Sequence, residues 1–275
     1  MSLALGILGF VLGMMFGSFF ARRLKKAPKV SVEAEYWVFV RTTTLPPQTD
    51  LLRRLLHDNP YGGARNPIGT GEALILSDVR LHLALVLREK NKTSFRPDLF
   101  ASAVSDRSHL DMLLDAKAFI RVGYHSDDPV SDRRHLKFLV HAADAYADLA
   151  DGIGIYDRVA ERFFSREEFR QILKADPGGL APSFHLKRGW RPEADGDIAY
   201  ASGFPKIGLP NLETEAVPKD GTTLMDGVFE QLSDQVWIDG SLEAQVEMYG
   251  DRFQAVANHR KGKPTRLRIL RYQSS

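Results

Sequence analysis

The stretch "HSDDPVSDRRH" (125–135) holds the densest set of chemically able side chains in the sequence. His125, Asp127, Asp128, Asp132 and His135 are all of metal-ligand type. A metal site would need three or four of them to converge at bonds of about 2 Å. Arg133 and Arg134 lie in the same stretch and would repel a cation. An acid just ahead of Pro129 has a simpler use as the N-cap of the next helix, and Asp128 is expected there. Further on, His141, Asp144 and Asp148 recur at i, i+3 and i+7. One helical face would then carry an imidazole and two carboxylates, the groups of general acid–base chemistry. The same spacing, opposite Leu139, Ala143, Tyr146 and Leu149, also describes the solvated stripe of an amphipathic helix, and that is the expectation. No catalytic, cofactor-binding or metal residue is assigned. His125, Asp128, His135, His141 and Asp144 remain the metal candidates of last resort.

Other motifs say less. "YGGARNPIGTG" (61–71) has glycines suited to phosphate, but lacks the Gly-Lys-Ser/Thr ending and leads into an expected strand instead of a helix. There is no His-Glu-x-x-His pair and no Gly-x-Ser-x-Gly elbow. The absence of cysteine excludes disulfides, thiolate nucleophiles and Cys-based metal sites.

The elements that would position these residues read as mixed. Strands are expected at 34–41, 72–78, 79–89, 117–125 and 153–157, with alternation of Val79, Leu81, Leu83, Leu85 and Leu87. Helices are expected from about Thr49, over Arg96–Asp115, over Val130–Ala150, and over 165–174, the last with Ser165 and Glu168 as a capping box. "ADPGGLAPS" (175–183) marks an internal boundary. Strands near 184–190 and 197–201, a helix from about Gly221 to Ile238 and a strand-rich end follow. This order gives an α+β class, and the β-α-β-β-α-β order of the first half fits a ferredoxin-like unit. The expected organisation is a transmembrane helix with a basic stop (1–26), a linker (27–33), an α+β domain (34–175) and a strand-rich second domain (183–275).

The transmembrane expectation comes from "LALGILGFVLGMMFGSFFARRLKK" (3–26). Leu3–Ala21 is uncharged, and as a helix would span roughly 28 Å. Basic residues follow it and none precedes it, the reverse of an export signal. The positive-inside rule then predicts a single-pass inner-membrane protein, N-terminus outside and body in the cytoplasm. Gly6, Gly9, Gly13 and Gly17 line one helical stripe, a groove for close helix packing.

Net charge is +2 over 275 residues. Five cations beside the apolar segment (Arg22, Arg23, Lys25, Lys26, Lys29) and six near the C-terminus (Arg260, Lys261, Lys263, Arg266, Arg268, Arg271) leave the remainder at −9. Basic ends on an acidic body suit anionic lipid headgroups better than nucleic acid. Arg266 and Arg268 join the N-terminal cluster as expected surface cations.

"GFPKIGLPNLE" (203–213) resembles the Gly-x-Pro-x-Leu-Glu segment of bacterial domains of unknown function. Residues 135–157, containing "HAADAYADLADGIGIYD", resemble the helix and short Gly-hydrophobic strand of the same domains. The resemblance implies an α+β fold without assigned chemistry.

The combined expectation is a non-catalytic, membrane-anchored accessory subunit without cofactors. Its glycine-striped helix would dock among membrane protein subunits of a larger complex, such as a photosynthetic or respiratory one, while its body scaffolds the cytoplasmic face. The alternatives are a tethered enzyme or small-ligand domain using the 125–148 cluster, and a self-associating tethered domain.

Overall fold

The computed structural model describes residues 31–62, 66–69, 74–104, 107–259 and 263–273. Two sheets organise them. The first contains β1 (Val32–Val40), β2 (Leu81–Leu87), β3 (Ala118–Ser126), β4 (Gly152–Asp157) and β5 (Arg162–Ser165), in the order β2-β3-β1-β4-β5. Every pair in it is antiparallel. Central β1, "VEAEYWVFV", is covered on both faces, which is why its apolar residues run almost without interruption. Helix α1 (Gln48–Leu56) connects β1 to β2, and α2 (Arg134–Leu149) connects β3 to β4. This is the strand order of a split β-α-β unit, with β5 added at the β4 edge.

Helix α2 buries Leu136, Leu139, Val140, Ala143 and Ala147 against the sheet's inner face. Its alanines allow close approach, and the next strand answers with glycine: a Cβ at Gly152 would sit inside the Ala147 backbone. On the outer face, Phe39, Phe95, Phe100, Phe119 and Phe163 form an aromatic cluster with Trp37 at its margin. The expected long helix over Arg96–Asp115 is absent there. Short helical turns at Lys92–Phe95, Pro97–Phe100, Ser108–Met112 and Leu113–Asp115 replace it. Phe95, Phe100 and Leu113 enter the cluster from separate turns, which one straight helix would not allow. The expected strand over 72–78 is a helical turn at Leu74–Ser77.

Helix α3 (Arg166–Ala175) starts at Ser165, and the capping box with Glu168 is present in both directions. The second sheet contains β6 (Lys187–Glu193), β7 (Gly196–Ser202), β8 (Leu212–Thr214), β9 (Gln245–Met248), β10 (Asp251–Asn258) and β11 (Thr265–Gln273), in the order β6-β7-β8-β11-β10-β9. Only β8 and β11 pair in parallel. Helix α4 (Thr222–Asp239) covers one face through Val228, Leu232 and Val236. One hydrophobic cluster runs from Tyr36 and Leu136 through Phe184 and Trp237 to Phe253 and Leu267, joining the two sheets.

Among the described residues, no helix is long and apolar enough to cross a membrane. The longest, α4, spans 18 residues and carries Asp226, Glu230, Asp234 and Asp239. The expectation of a transmembrane, single-pass inner-membrane protein with N-out topology is corrected on this finding. The segment that suggested it, with Gly6, Gly9, Gly13, Gly17, Arg22, Arg23, Lys25, Lys26 and Lys29, lies outside the described residues.

Candidate functional site

The His/Asp stretch is divided by the sheet. His125 lies on the outer face of β3, half exposed, with its Nε2 3.3 Å from Asp127. His135 is on the inner side, 2% exposed, and stacks on Tyr124 at 4.6 Å between ring centres. The alternation of side chains along β3 sends residues 124 and 125 to opposite faces. Asp128 is not the helix cap. Asp132 accepts the Arg134 amide at 3.0 Å and its Nε at 2.8 Å, while the Ser126 hydroxyl donates to the Asp128 carbonyl. Among the described residues, no group of three or more His, Asp or Glu side chains is arranged to hold a metal ion.

His141, Asp144 and Asp148 do share a face, but it is not a solvated stripe. His141 and Asp144 are buried beneath α1 and α3. Arg54 of α1 donates to Asp144 at 2.8 Å and to Asp148 at 2.9 Å. Arg170 of α3 reaches the same two carboxylates at 3.2 and 2.7 Å, and Arg166 reaches Asp148. Burial pushes the Asp148 carboxyl up, but hydrogen bonds from Arg54 and Arg170 outweigh it and hold the group below its usual range. His141 donates from Nε2 to the Pro177 carbonyl at 2.9 Å and accepts the Asn59 amide at Nδ1. Three arginines and two aspartates thus bolt α1 and α3 to α2. Asp144→Ala would leave the buried Arg54 with one partner fewer, at an expected cost of about 3 kcal/mol by urea unfolding. An Asp144→Ala protein as stable as the parent would refute this bolting role.

A second network, at the junction of the sheets, joins residues that the sequence reading did not single out. Tyr36 of β1, Asp157 at the end of β4, His185 and Lys206 are all fully buried. Lys206 lies in the helical turn Phe204–Ile207, framed by Gly203 (φ 114°) and Gly208 (φ 74°). A Cβ at Gly203 would collide with the His185 carbonyl, so glycine is required there. The Lys206 ammonium donates to the Asp157 carboxylate, to the His185 carbonyl at 3.2 Å and to the Tyr36 hydroxyl at 3.4 Å. His185 Nε2 lies 2.8 Å from the Gly179 carbonyl and must carry the proton, so Nδ1 accepts the Tyr36 hydroxyl at 3.2 Å. Asp157 also accepts the amides of Val159 and Ala160. Every ammonium proton has an acceptor. Burial lowers the pKa of Lys206 despite Asp157, and burial with the Lys206 charge takes His185 well below its usual value. The sequence signal was a lysine flanked by Phe204, Pro205 and Ile207 between two glycines, an apolar setting for a charge.

No family model matches the chain, and no similar curated protein or solved structure is found. Function therefore rests on this chain's own geometry.

Two open features adjoin the divided His/Asp stretch. A cavity of about 150 Å³ lies beside His135, between Tyr124, the Asp78–Arg80 corner and the Asp132–Arg134 corner. A shallow groove of about 510 Å³ runs over the outer ends of β2, β3 and β1 and is lined by Glu33, Glu35, His82, Arg121 and His125. Its floor carboxylate, Glu35, is held by Trp37 Nε1 at 2.5 Å, Arg121 at 2.8 Å and Arg158 at 3.2 Å. The surface cations expected near the C-terminus divide. Arg266 pairs with Glu213 at 3.3 Å and Glu193 at 3.8 Å, and Arg271 pairs with Asp251, while Arg268 stands opposite Val256 on the β10–β11 ladder.

Proposed function

We propose that this chain is a non-catalytic accessory subunit that joins a larger protein assembly by accepting an extended segment of a partner along β2. The observation that carries this reading is the state of that edge. Among the strands that border the two sheets, β5 and β9 are four residues long and β6 carries Lys187, Arg188, Arg191, Pro192 and Glu193. Such short or charged edges resist unwanted pairing. β2, "LHLALVL", is seven residues long with no charge, proline or bulge, and His82, Leu83 and Ala84 are exposed. The Arg80 carbonyl and the Arg88 amide both face β3. By the two-residue period, the amides and carbonyls of Leu83 and Leu85 then face away from it. Among the described residues, none pairs with them. Exposed Val79 extends the apolar edge.

The polar clusters support the same reading. The carboxylates and histidines of residues 141–148 and the junction network serve as rigid internal fastenings, which suits a body that presents a surface. Main-chain pairing would supply affinity for an added strand, and the adjoining groove would read its alternate side chains.

Leu83→Pro removes one edge amide without touching the β3 ladder, a position where an edge strand tolerates proline. The expected result is loss of co-purifying partner with thermal stability nearly retained. In the wild-type assembly, the Leu83 and Leu85 amides become protected from hydrogen exchange. A wild-type chain that runs alone from native extracts, or a Leu83→Pro chain that keeps its partner, would overturn the reading. A dimer mass would instead identify a second copy, paired β2 to β2.

A further inference from the structure

We propose that Lys206 Nζ and the Asp157 carboxyl condense with loss of one water, leaving an amide bond that ties β4 to the helical turn after β7. This goes beyond the accessory reading and does not depend on it. The ion pair described above is the reactant, and loss of Lys206 removes the bond as well as the pair.

The first support is how the carboxyl is held. Its two oxygens have different partners. Oδ2 faces Nζ, while Oδ1 accepts the Val159 and Ala160 amides, both at 3.1 Å. A nucleophile adding to Cγ from Nζ would push negative charge onto Oδ1, where two backbone donors already point, the arrangement of an oxyanion hole. Both reacting groups sit on fixed backbone. Asp157 is in register with Tyr36 of β1 and Arg162 of β5, and Lys206 is set by the turn between left-handed Gly203 and Gly208. Well-oriented intramolecular groups reach effective molarities of roughly 10⁵–10⁸ M. Trp237 stacks on His185 at 4.9 Å and meets Phe204 edge-on. This apolar wall and the complete burial of the pair keep bulk water from the reacting carbon, which disfavours the reverse hydrolysis.

The second support is a base beside the nucleophile. His185 Nδ1 lies 3.4 Å from Nζ, and it is unprotonated because Nε2 donates to the Gly179 carbonyl. The Tyr36 hydroxyl, 3.2 Å from Nδ1 and 3.4 Å from Nζ, completes a short proton relay. Burial, which lowers the Lys206 pKa, favours the amine. The steps balance without any co-reactant. One proton moves from Nζ to Oδ2 along their hydrogen bond, giving an amine and a carboxylic acid. The Nζ lone pair adds to Cγ, and the carbonyl pair moves to Oδ1 between the two amides. Nδ1 takes the surplus Nζ proton. The Oδ1 pair then re-forms the carbonyl, the Cγ–Oδ2 bond breaks, and Oδ2 leaves as water with the proton returned from Nδ1. His185 and Tyr36 end as they began, and one N–H remains on the amide.

Mass spectrometry of the full chain reads the bond directly. The intact protein is expected to be lighter than its sequence by one water. After trypsin, the peptide 138–158, which carries Asp157, should stay joined to 189–219, in which cleavage after Lys206 is missed. Lys206→Arg keeps a cation without the nucleophile and should give the full sequence mass and no joined peptide. Followed after cell-free synthesis, joining should proceed in the folded chain and stop in a sample moved into urea. His185→Phe keeps a ring against Trp237 and should slow joining by about a hundredfold or more, the usual share of a general base. That variant also loses the Gly179 carbonyl bond, so Tyr36→Phe, which gives up only the relay hydroxyl, is the second test and should slow joining too. A folded parent that keeps its full mass, a Lys206→Arg chain equally short of one water, joining that continues in urea, or full-rate joining in both ring variants would each overturn the proposal.

Discussion

Lys206→Met is expected to destabilise the fold by about 3–5 kcal/mol, a large share of a typical domain's stability. The methionine reproduces the apolar stem and little packing is lost. What remains is a fully buried Asp157 carboxylate with only the Val159 and Ala160 amides as donors. The Tyr36 hydroxyl and the His185 carbonyl lose a donor as well. The cost therefore arises mainly from the partners left behind, since the intact pair itself had to be desolvated. That distinction is measurable. Asp157→Asn in the Lys206→Met background removes the stranded charge, keeps an oxygen for both amides and supplies an NH₂ group toward Tyr36. The double variant should regain a substantial part of the loss, with an unchanged slope of unfolding free energy on urea. A single-variant loss below about 1 kcal/mol would show that the junction relaxes or hydrates around Asp157 and is not a fastening.

How far the sequence announces this architecture depends on whether the signal is local. The Ser165/Glu168 capping box, the apolar run of β1 and the helical period of α2 are properties of contiguous residues, and each appears where expected. The region 96–115 has helical composition but a different outcome. Pro97 and the separate anchoring of Phe95, Phe100 and Leu113 on the outer face of the first sheet break it into turns, a choice made by the surface it covers. The 141–148 face shows the same limit. Its i, i+3, i+7 polar spacing does not distinguish solvent from a wall of arginines, because Arg54 comes from 90 residues before Asp144 and Arg170 from 26 after it. Lys206 and Asp157 are 49 residues apart, and neither spacing nor composition connects them. The edge of β2 was half legible. Its alternation marked a strand, but that no described strand borders its far side is a property of the sheet order. The C-terminal basic run likewise looked like a cationic face until β8 placed Glu213 beside Arg266.

The three buried histidines make stability acid-sensitive well above the carboxylate range. His135, His141 and His185 each donate from Nε2 to a backbone carbonyl, of Lys206, Pro177 and Gly179 respectively. Burial lowers the pKa of all three in the fold, His185 most strongly, with the Lys206 charge adding to it. In the unfolded chain they titrate near about 6.5. Below that value the unfolded state binds protons that the folded state refuses, so the stability they contribute is complete above about pH 6.5 and is lost as pH falls. Each such histidine gives up to about 1.4 kcal/mol per pH unit. Three that stay neutral in the fold would remove on the order of 5 kcal/mol between pH 7 and pH 5. Asp78, Asp132 and Asp148, held below their usual range, add a further loss only at lower pH, below about 4. Urea midpoints at pH 7 and pH 5 read the first effect alone. His141→Gln keeps an amide donor for the Pro177 carbonyl and removes one titrating ring, so the difference between the two pH values should shrink by about a third. A parent protein equally stable at both pH values would mean that the folded state takes up these protons, and burial would then not hold the three rings in their neutral forms.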